Sequence, residues 1–235
     1  MIESLFHNVT EAEKNQAIEN IIRHASPRQD FFLMLILSIS MAGFGVLLGS
    51  TVILIGSMLI APLLYPLLSL SLGIIVADGK LITLSVYTML KSVVLALTAA
   101  FLIGLLFAGA GLPDLALLGI EAGGAPSLIY AFVAVIAGFA AAFATTKPNL
   151  NETLPGVAIA VTLVPPLAIA GISISLLNWA LASNALLLFL VNVIGIMFSA
   201  MIVFALFQFS AKGSVAERAV QEENHILEKE AVAQE

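Results

Sequence analysis

Cysteine is absent from the 235-residue chain, and charged residues make up only 10% of it. The lack of cysteine excludes disulfides, thiol catalysis and cysteine-ligated zinc or iron–sulfur centres. The three histidines, His7, His24 and His225, lie outside the long apolar runs, and the sequence contains no HExxH motif, Walker loop or dinucleotide fingerprint. We therefore predict that the protein is not an enzyme and carries no metal and no cofactor.

Basic residues are scarce as well. The chain has 9 Lys and Arg against 15 Asp and Glu, a formal net charge of -6, and no basic patch that would suit nucleic acid. Most acids fall in the two polar ends of the chain. We predict no nucleic-acid partner.

Apolar residues dominate instead. They make up 60% of the chain, and the mean hydropathy is +1.09, which is far above that of a soluble domain. A membrane helix needs about 20 apolar residues. The sequence predicts an all-α membrane protein with the lipid bilayer as its main partner and six spans, at 31–48, 51–76, 81–109, 128–146, 156–177 and 185–209.

The polar ends read as short helices. Thr10 and Glu13 form a capping-box pattern that opens an amphipathic helix over residues 8–26, expected to lie on the membrane face or on a neighbouring subunit. Ser214 and Glu217 repeat that pattern in an exposed tail helix. The predicted regions are a cytoplasmic amphipathic helix (1–29), a first three-helix repeat (30–110), an extracytoplasmic loop (111–127), a second three-helix repeat (128–210) and a cytoplasmic acidic tail (211–235).

The cations predict the orientation. Lys and Arg occur before the first span, at Lys80, at Lys147 and after the sixth span, whereas the alternate loops contain none. Loops rich in Lys and Arg stay in the cytoplasm. We predict a multi-pass protein of the plasma (inner) membrane with both termini cytoplasmic.

The second and fifth spans resemble each other. A shift of 104 residues gives seven identities in eighteen positions. The matched residues are Ile55, Leu59, Pro62, Leu63, Ser69, Ser71 and Leu72 with Ile159, Leu163, Pro166, Leu167, Ser173, Ser175 and Leu176. If each half contributes three spans, the two halves enter the membrane from opposite sides. This pattern therefore predicts a 3+3 inverted repeat.

Prolines interrupt both of these spans. Each proline removes a backbone donor and clashes with the preceding turn, so we predict proline-broken second and fifth helices. Broken helices at equivalent places indicate a binding site or pathway. Alternatively, the two helices are only kinked, and nearby Ser and Thr hydroxyls satisfy the backbone groups that the kinks free. The candidate pathway residues here are Ser57, Pro62, Tyr65, Pro66, Ser69, Ser71, Thr162, Pro165, Pro166, Ser173 and Ser175.

Two further polar residues within the spans are candidates. Lys91 is the one formal charge inside a predicted span; it either lines the pathway or extends its side chain to the cytoplasmic headgroups. Asn192 shares a helix face with Gly195 and Ser199 and either bonds a neighbouring helix or lines the pathway. Ala134, Gly138 and Ala142 form a face for close helix packing, and we expect a homo-oligomer.

Two runs carry a family resemblance. The run from Ile55 to Pro66 (IGSMLIAPLLYP) and the run from Leu154 to Leu167 (LPGVAIAVTLVPPL) resemble the signatures of the prokaryotic membrane family called domain of unknown function 389, and Leu188–Asn192 resembles its last span. The resemblance covers about residues 28–210. It implies an integral membrane protein and supplies no substrate.

Two functions remain in view. The inverted repeat and paired breaks favour a transporter or channel for a small solute or ion. The alternative is a non-transporting scaffold or sensor that acts through its cytoplasmic ends. A membrane-embedded enzyme is a weaker third reading, because the spans lack histidine and paired carboxylates.

Overall fold

The structure is a computed structural model that describes residues 9–107, 128–147, 150 and 155–232, without the side chains of 155–162, 231 and 232. The predicted extracytoplasmic loop at 111–127 and the side chain of Thr162 lie outside the described residues. The described chain is helical and has no strand. Its helices are α1 (Glu11–Ala25), α2 (Gln29–Leu47), α3 (Thr51–Ile60), α4 (Leu64–Val76), α5 (Gly79–Leu106), α6 (Leu128–Thr146), α7 (Pro155–Ser175), α8 (Trp179–Leu206) and α9 (Gly213–Val232), with a 3₁₀ turn at Phe209–Lys212.

Several of these helices suit a bilayer. Among the described residues, α2, α5, α6 and α8 are the four helices long and apolar enough to cross a membrane, and α3 with α4 makes a fifth when the bent pair counts as one span. The side chains of α7 are described only from Leu163, and Leu163–Ser175 forms a shorter apolar helix. The protein is thus an all-α, multi-pass membrane protein, and the count of six spans stays a prediction.

The helix directions follow from the contacts. Gly171 on α7 lies against Leu97 and Ala100 on α5, and Gly104 lies against Ile172, so residue numbers increase together and α5 and α7 run parallel. Ring contacts show that α2 runs parallel to α5. They join Lys91 to Phe32, and Phe44 to Phe107.

The second half has its own parallel pair. Gly195 on α8 lies against Ala134, and Gly138 on α6 lies against Ile196 and Ser199, so α6 and α8 run parallel. Both end near the region where α5 begins, because Phe143 packs on Phe207 and the chain then reaches Gly213, which lies near the carbonyl of Val76 just before α5. Their direction is therefore opposite to that of α2, α5 and α7.

The core of the bundle surrounds α4 and α7. Leu67, Leu68 and Leu72 on α4 are fully buried, as are the hydrophobic residues of α7 from Leu163 to Ile172. α4 packs against α1, α5 and α8, while α7 packs against α2, α3, α5, α6 and α8. α4 and α7, which carry the repeated serines, are thus enclosed in the core, whereas Ile55 and Leu59 on α3 are exposed.

The helix α1 packs against its own chain. The predicted capping box is confirmed: Oγ1 of Thr10 accepts from the Glu13 amide, and the Glu13 carboxylate accepts from the Thr10 amide at 2.7 Å. The apolar stripe of α1, Ala17, Ile18, Ile21, Ile22 and Ala25, is buried. Because α1 contacts α4 and α9, that stripe covers its own bundle rather than a bilayer face or a second subunit.

The tail helix differs from its prediction. α9 begins at Gly213, directly after the 3₁₀ turn, so Ser214 is already inside the helix and does not cap it. One face packs on α1. The Glu223 side chain there is only 5% exposed and pairs with Arg28; α9 is therefore a packed element, not a wholly exposed tail.

Candidate functional site at the break in the second span

The second span is broken between Ile60 and Leu64. α3 and α4 meet at a bend of 50°. Ala61 is extended, with φ -69° and ψ 124°, as expected for a residue before proline. Pro62 has no amide to continue α3, whereas Pro66 falls in the first turn of α4, where an amide would lack a helical acceptor anyway. The two prolines thus end one helix and begin the next.

A serine from α2 satisfies one carbonyl at the break. The last carbonyls of α3 have no helical donor. Ser38 Oγ donates to the Ser57 carbonyl at 2.7 Å, and Ser57 Oγ donates to the Leu54 carbonyl at 2.6 Å. Both serines are fully buried. The sequence analysis did not single out Ser38, although a polar residue within an apolar run indicates a buried hydrogen bond.

A cavity lies beside the break, at the end of α3. Leu63 precedes α4 and provides no side-chain cap. Half-buried Pro62 and Ile60 line a cavity of about 460 Å³ with Ser26, Arg28 and other residues from the start of α2. The buried hydroxyl of Ser26 has no hydrogen-bond partner.

Tyr65 and Pro66 follow the break. The Tyr65 ring stacks on His24 with centroids 4.7 Å apart, which ties the start of α4 to α1. Pro66 is buried in the core. Tyr65 is only partly buried, so it borders the core rather than facing its centre.

The repeated serines of α4 bond to two neighbouring helices. Ser69 Oγ accepts from Ser85 Oγ at 2.8 Å, which links α4 to α5. Ser71 Oγ donates to the Leu67 carbonyl at 2.8 Å and also reaches the Met197 carbonyl of α8 at 3.4 Å. Both hydroxyls are buried. Ser85, which the sequence analysis did not single out, therefore belongs to the same polar cluster.

The fifth span corrects the prediction of a second break. α7 is continuous from Pro155 to Ser175, with Pro165 and Pro166 inside the helix and both buried. Pro165 and Pro166 have no amide hydrogen, so the carbonyls of Val161 and Thr162 lose their helical hydrogen-bond donors. Packing on every side holds the helix together despite this loss, because the neighbouring Leu163, Val164 and Leu167 are fully enclosed.

The serines of α7 are not bonded like those of α4. Ser173 is fully buried, and its hydroxyl has no hydrogen-bond partner. Ser175 Oγ donates to the Ile172 carbonyl at 2.7 Å. Because a buried hydroxyl without a partner costs free energy, Ser173 is the least satisfied of the repeated serines.

Lys91 and Asn192 lie apart from each other. Lys91 is exposed on the outer face of α5, and its Nζ is 4.3 Å from the centre of the Phe32 ring. Asn192 is buried on the face of α8 that also buries Gly195 and Ser199. The structure therefore places Asn192 inside the bundle and Lys91 outside it.

The site as a whole is built from hydroxyls and helix ends. α7 packs against both α3 and α4, the two helices that meet at the break. Within the described part of the chain, no group of three or more His, Asp or Glu is arranged to hold a metal ion. The hydroxyls of Ser57, Ser69 and Ser71 bond to other groups of the bundle, whereas that of Ser173 has no hydrogen-bond partner.

Comparisons with known proteins give the family. The family model described as "Domain of unknown function (DUF389)" matches residues 58–198. An uncharacterised protein of Methanocaldococcus jannaschii is 33% identical over 213 residues, which is 86% of this chain and 64% of that protein. No solved structure matches. Because the model match covers more than half of the sequence and includes both proline segments, the chain belongs to the DUF389 family.

Proposed function

We propose that this multi-pass membrane protein is a transporter or channel for a small solute or ion, with its pathway between the second and fifth spans. One observation carries the proposal: α3 and α4 break inside an apolar bundle, and the freed groups lie beside buried hydroxyls. Interrupted helices persist in membranes where they line a cavity or are buried in protein.

The repeat supports the proposal. The second and fifth spans share seven identities at a shift of 104 residues, and both corresponding helices, α4 and α7, lie in the core. α2, α5 and α7 run opposite to α6 and α8, as halves of opposite orientation require. Inverted repeats with sites at discontinuous helices are the architecture of many secondary transporters.

The tight packing around α4 and α7 corresponds to a closed form in this proposal. Leu67 and Leu167 are fully enclosed, so passage requires α3 and α4 to move relative to each other. The segment 61–63 is the hinge, because it lies between the two helices and its first residue, Ala61, is extended. Ser69 and Ser173 become accessible when the pathway opens.

Substituted-cysteine accessibility tests this idea in an otherwise cysteine-free chain. Single variants Ser69→Cys and Ser173→Cys are reconstituted in liposomes and treated with a small charged methanethiosulfonate. We expect both to react, whereas the control Leu72→Cys, which is equally buried on α4, stays unreactive. Protection of all three thiols from both sides would contradict a pathway here.

A flux measurement follows the accessibility test. Potassium, chloride and glycerol serve as probes in proteoliposomes, with Ser69→Leu and Ser173→Leu as the test variants. Both should reduce the flux of any probe that crosses, because a larger apolar side chain replaces a hydroxyl in the pathway. The control Ser183→Leu changes an exposed residue at the far end of α8 and should leave the flux unchanged.

The scaffold function has its own supporting observation. α1 and α9 pack together at the end of the bundle that carries Lys80 and Lys212. Removing α1 would expose the surface of the bundle that its apolar stripe covers, so charge-reversing changes at exposed residues such as Glu222 and Glu228 are the cleaner test. Loss of a cellular function with unchanged thiol accessibility in the bundle would favour the scaffold.

Orientation and assembly are part of the same proposal. The end that carries Lys80, Lys147 and Lys212 faces the cytoplasm of a plasma membrane, following the distribution of cations. The outer face of α6 exposes Ile129, Phe132 and Ile136 at 68–70%. In a homo-oligomer these side chains meet a second subunit, and otherwise they meet lipid.

A further inference from the structure

A shallow apolar groove runs along the outer face of α5. It has a volume of about 390 Å³ and is lined by Tyr87, Leu90, Lys91, Val94, Leu95 and Thr98. Leu90 is 62% exposed and Val94 is 64% exposed. Because α5 is a candidate membrane span, this face meets the bilayer, yet it carries a lysine.

The position of Phe32 gives the depth of the Lys91 ammonium. Nζ of Lys91 is 4.3 Å from the centre of the Phe32 ring and 5.7 Å from that of Tyr87. Phe32 is in the first turn of α2, two residues after Asp30, where the polar segment ends. At 1.5 Å per residue, the Cα of Phe32 lies about 6 Å along the helix axis from that of Arg28. The ammonium is therefore at the headgroup boundary rather than at the bilayer centre.

No carboxylate of the described residues pairs with the Lys91 ammonium. Among the described residues, no carboxylate lies within the 4.0 Å that defines an ion pair with Lys91. Two aromatic rings attract the cation but do not neutralise it. Tyr87 is 54% exposed and also marks an interfacial level, where tyrosine is enriched. The charge thus faces the lipid layer at the depth of the phosphates.

We propose that this face of α5 is a binding site for an anionic phospholipid. Its phosphate contacts Lys91 and Tyr87, and an acyl chain lies along Leu90, Val94 and Leu95. An aliphatic chain fits this part of the groove because the lining is apolar. The Lys91 ammonium at one end of the groove favours a lipid with a negatively charged headgroup. The site is independent of the proposed pathway, since it lies on the opposite side of α5 from Ser85.

Native mass spectrometry of the full chain in detergent tests the site. Phosphatidylglycerol and phosphatidylcholine are titrated into the wild type, Lys91→Gln, Lys91→Arg and Lys80→Gln. We expect the wild type to prefer phosphatidylglycerol and Lys91→Gln to weaken that binding about fivefold, the effect of one lysine near an anionic membrane surface. Lys91→Arg should retain it. Lys80→Gln removes an exposed charge from the same helix and should change little.

A second variant tests the groove without changing the charge. Val94→Trp fills the path of the acyl chain, so it should weaken phosphatidylglycerol binding while the melting temperature stays near that of the wild type. Equal losses in Lys91→Gln and Lys80→Gln would overturn the proposal, since they would indicate diffuse attraction. So would a wild type that does not distinguish the two lipids, or a Val94→Trp variant that binds like the wild type.

Discussion

At the scale of single residues, polar groups buried in an apolar bundle matter most when they are paired. Arg28 Nη2 is 2.6 Å from Glu223 Oε1, and Nε donates to the same oxygen at 2.8 Å. The pair joins the residue before α2 to the middle of α9. Removing either residue leaves the charge of the other without its partner at a packed contact between helices.

We predict that Glu223→Ala lowers the free energy of unfolding by roughly 2–4 kcal/mol, less than for a fully buried pair because a quarter of the Arg28 side chain is exposed. The double variant Arg28→Met/Glu223→Met should recover much of this loss. Thermal unfolding in detergent measures both. The control Glu217→Ala breaks an exposed pair with Lys80, at 4.0 Å, and should change stability by less than about 1 kcal/mol. Equal effects at Glu217 and Glu223 would contradict this account.

The sequence located most candidate polar residues but not their partners. Ser57, Ser69, Ser71, Ser173 and Asn192 are all buried. Ser38 and Ser85, which bond to two of these serines, come from other helices, and no local pattern indicates which residues will face each other. The inward or outward direction of Lys91 was open for the same reason.

At the scale of helices, close packing depends on small residues. The predicted small face of α6 is confirmed, because Ala134 and Ala142 are fully buried and Gly138 lies against α8. A Cβ added at Gly138 would be 2.6 Å from the Ile196 Cα and would also meet the Ser199 hydroxyl. Backbone atoms cannot yield as a flexible side chain can.

Gly138→Ala should therefore destabilise the protein by about 1–3 kcal/mol, the usual cost of overpacking. The matched control is Gly79→Ala in α5, because a Cβ there has nothing within 4 Å. That variant should be within about 1 kcal/mol of the wild type. Thermal unfolding of the two variants measures the difference. If Gly138→Ala is as stable as Gly79→Ala, the close crossing of α6 and α8 is wrong.

Docking of α1 should depend on pH. Hydrogen bonds from Lys212 and Lys14 lower the pKa of Glu11, and hydrogen bonds from Thr10 lower that of Glu13, from an ordinary value of 4.5. A lowered pKa in the folded state stabilises the fold above pH 4.5, and this contribution is lost as the pH falls below it. Both carboxylates are exposed, so the effect is modest and decreases with salt.

A nitroxide at Glu19→Cys on α1 measures this docking. Its mobility should rise as the pH falls below 4.5, and the added variant Lys212→Gln should reduce that rise because the main partner of Glu11 is gone. A label at Val94→Cys on α5 is the control and should not respond. A flat profile at Glu19 from pH 7 to pH 3 would show that these contacts do not hold α1.

Local patterns predicted one of two helix starts and one of two helix breaks. Thr10 and Glu13 are close in sequence, and their capping box formed as expected. Pro62 ends α3, whereas Pro165 and Pro166 remain inside α7. The difference lies in the surroundings: the neighbours of Pro165 and Pro166 are enclosed on all sides, and this packing is a tertiary effect that the two similar sequences do not reveal.

At the scale of the whole molecule, the distribution of cations predicted the arrangement of the helices. Lys80 lies 4.0 Å from Glu217, and Lys147 contributes to the lowered pKa of Glu13, after the Thr10 hydrogen bonds. Both lysines therefore lie at the end of the bundle where α1 and α9 pack. Between them, α5 runs away from that end and α6 returns to it, and the 3+3 inverted repeat stays a prediction.

Labelling of single cysteines with a membrane-impermeant maleimide in intact and in permeabilised cells tests this arrangement most directly. The cysteine-free chain allows Lys80→Cys, Lys147→Cys, Ser50→Cys and Ala180→Cys to be examined one at a time. We predict that Lys80→Cys and Lys147→Cys react only in permeabilised cells. Ser50→Cys and Ala180→Cys should react in intact cells. Labelling of Lys80→Cys and Lys147→Cys from opposite faces would contradict the inverted arrangement and, with it, the proposed pathway.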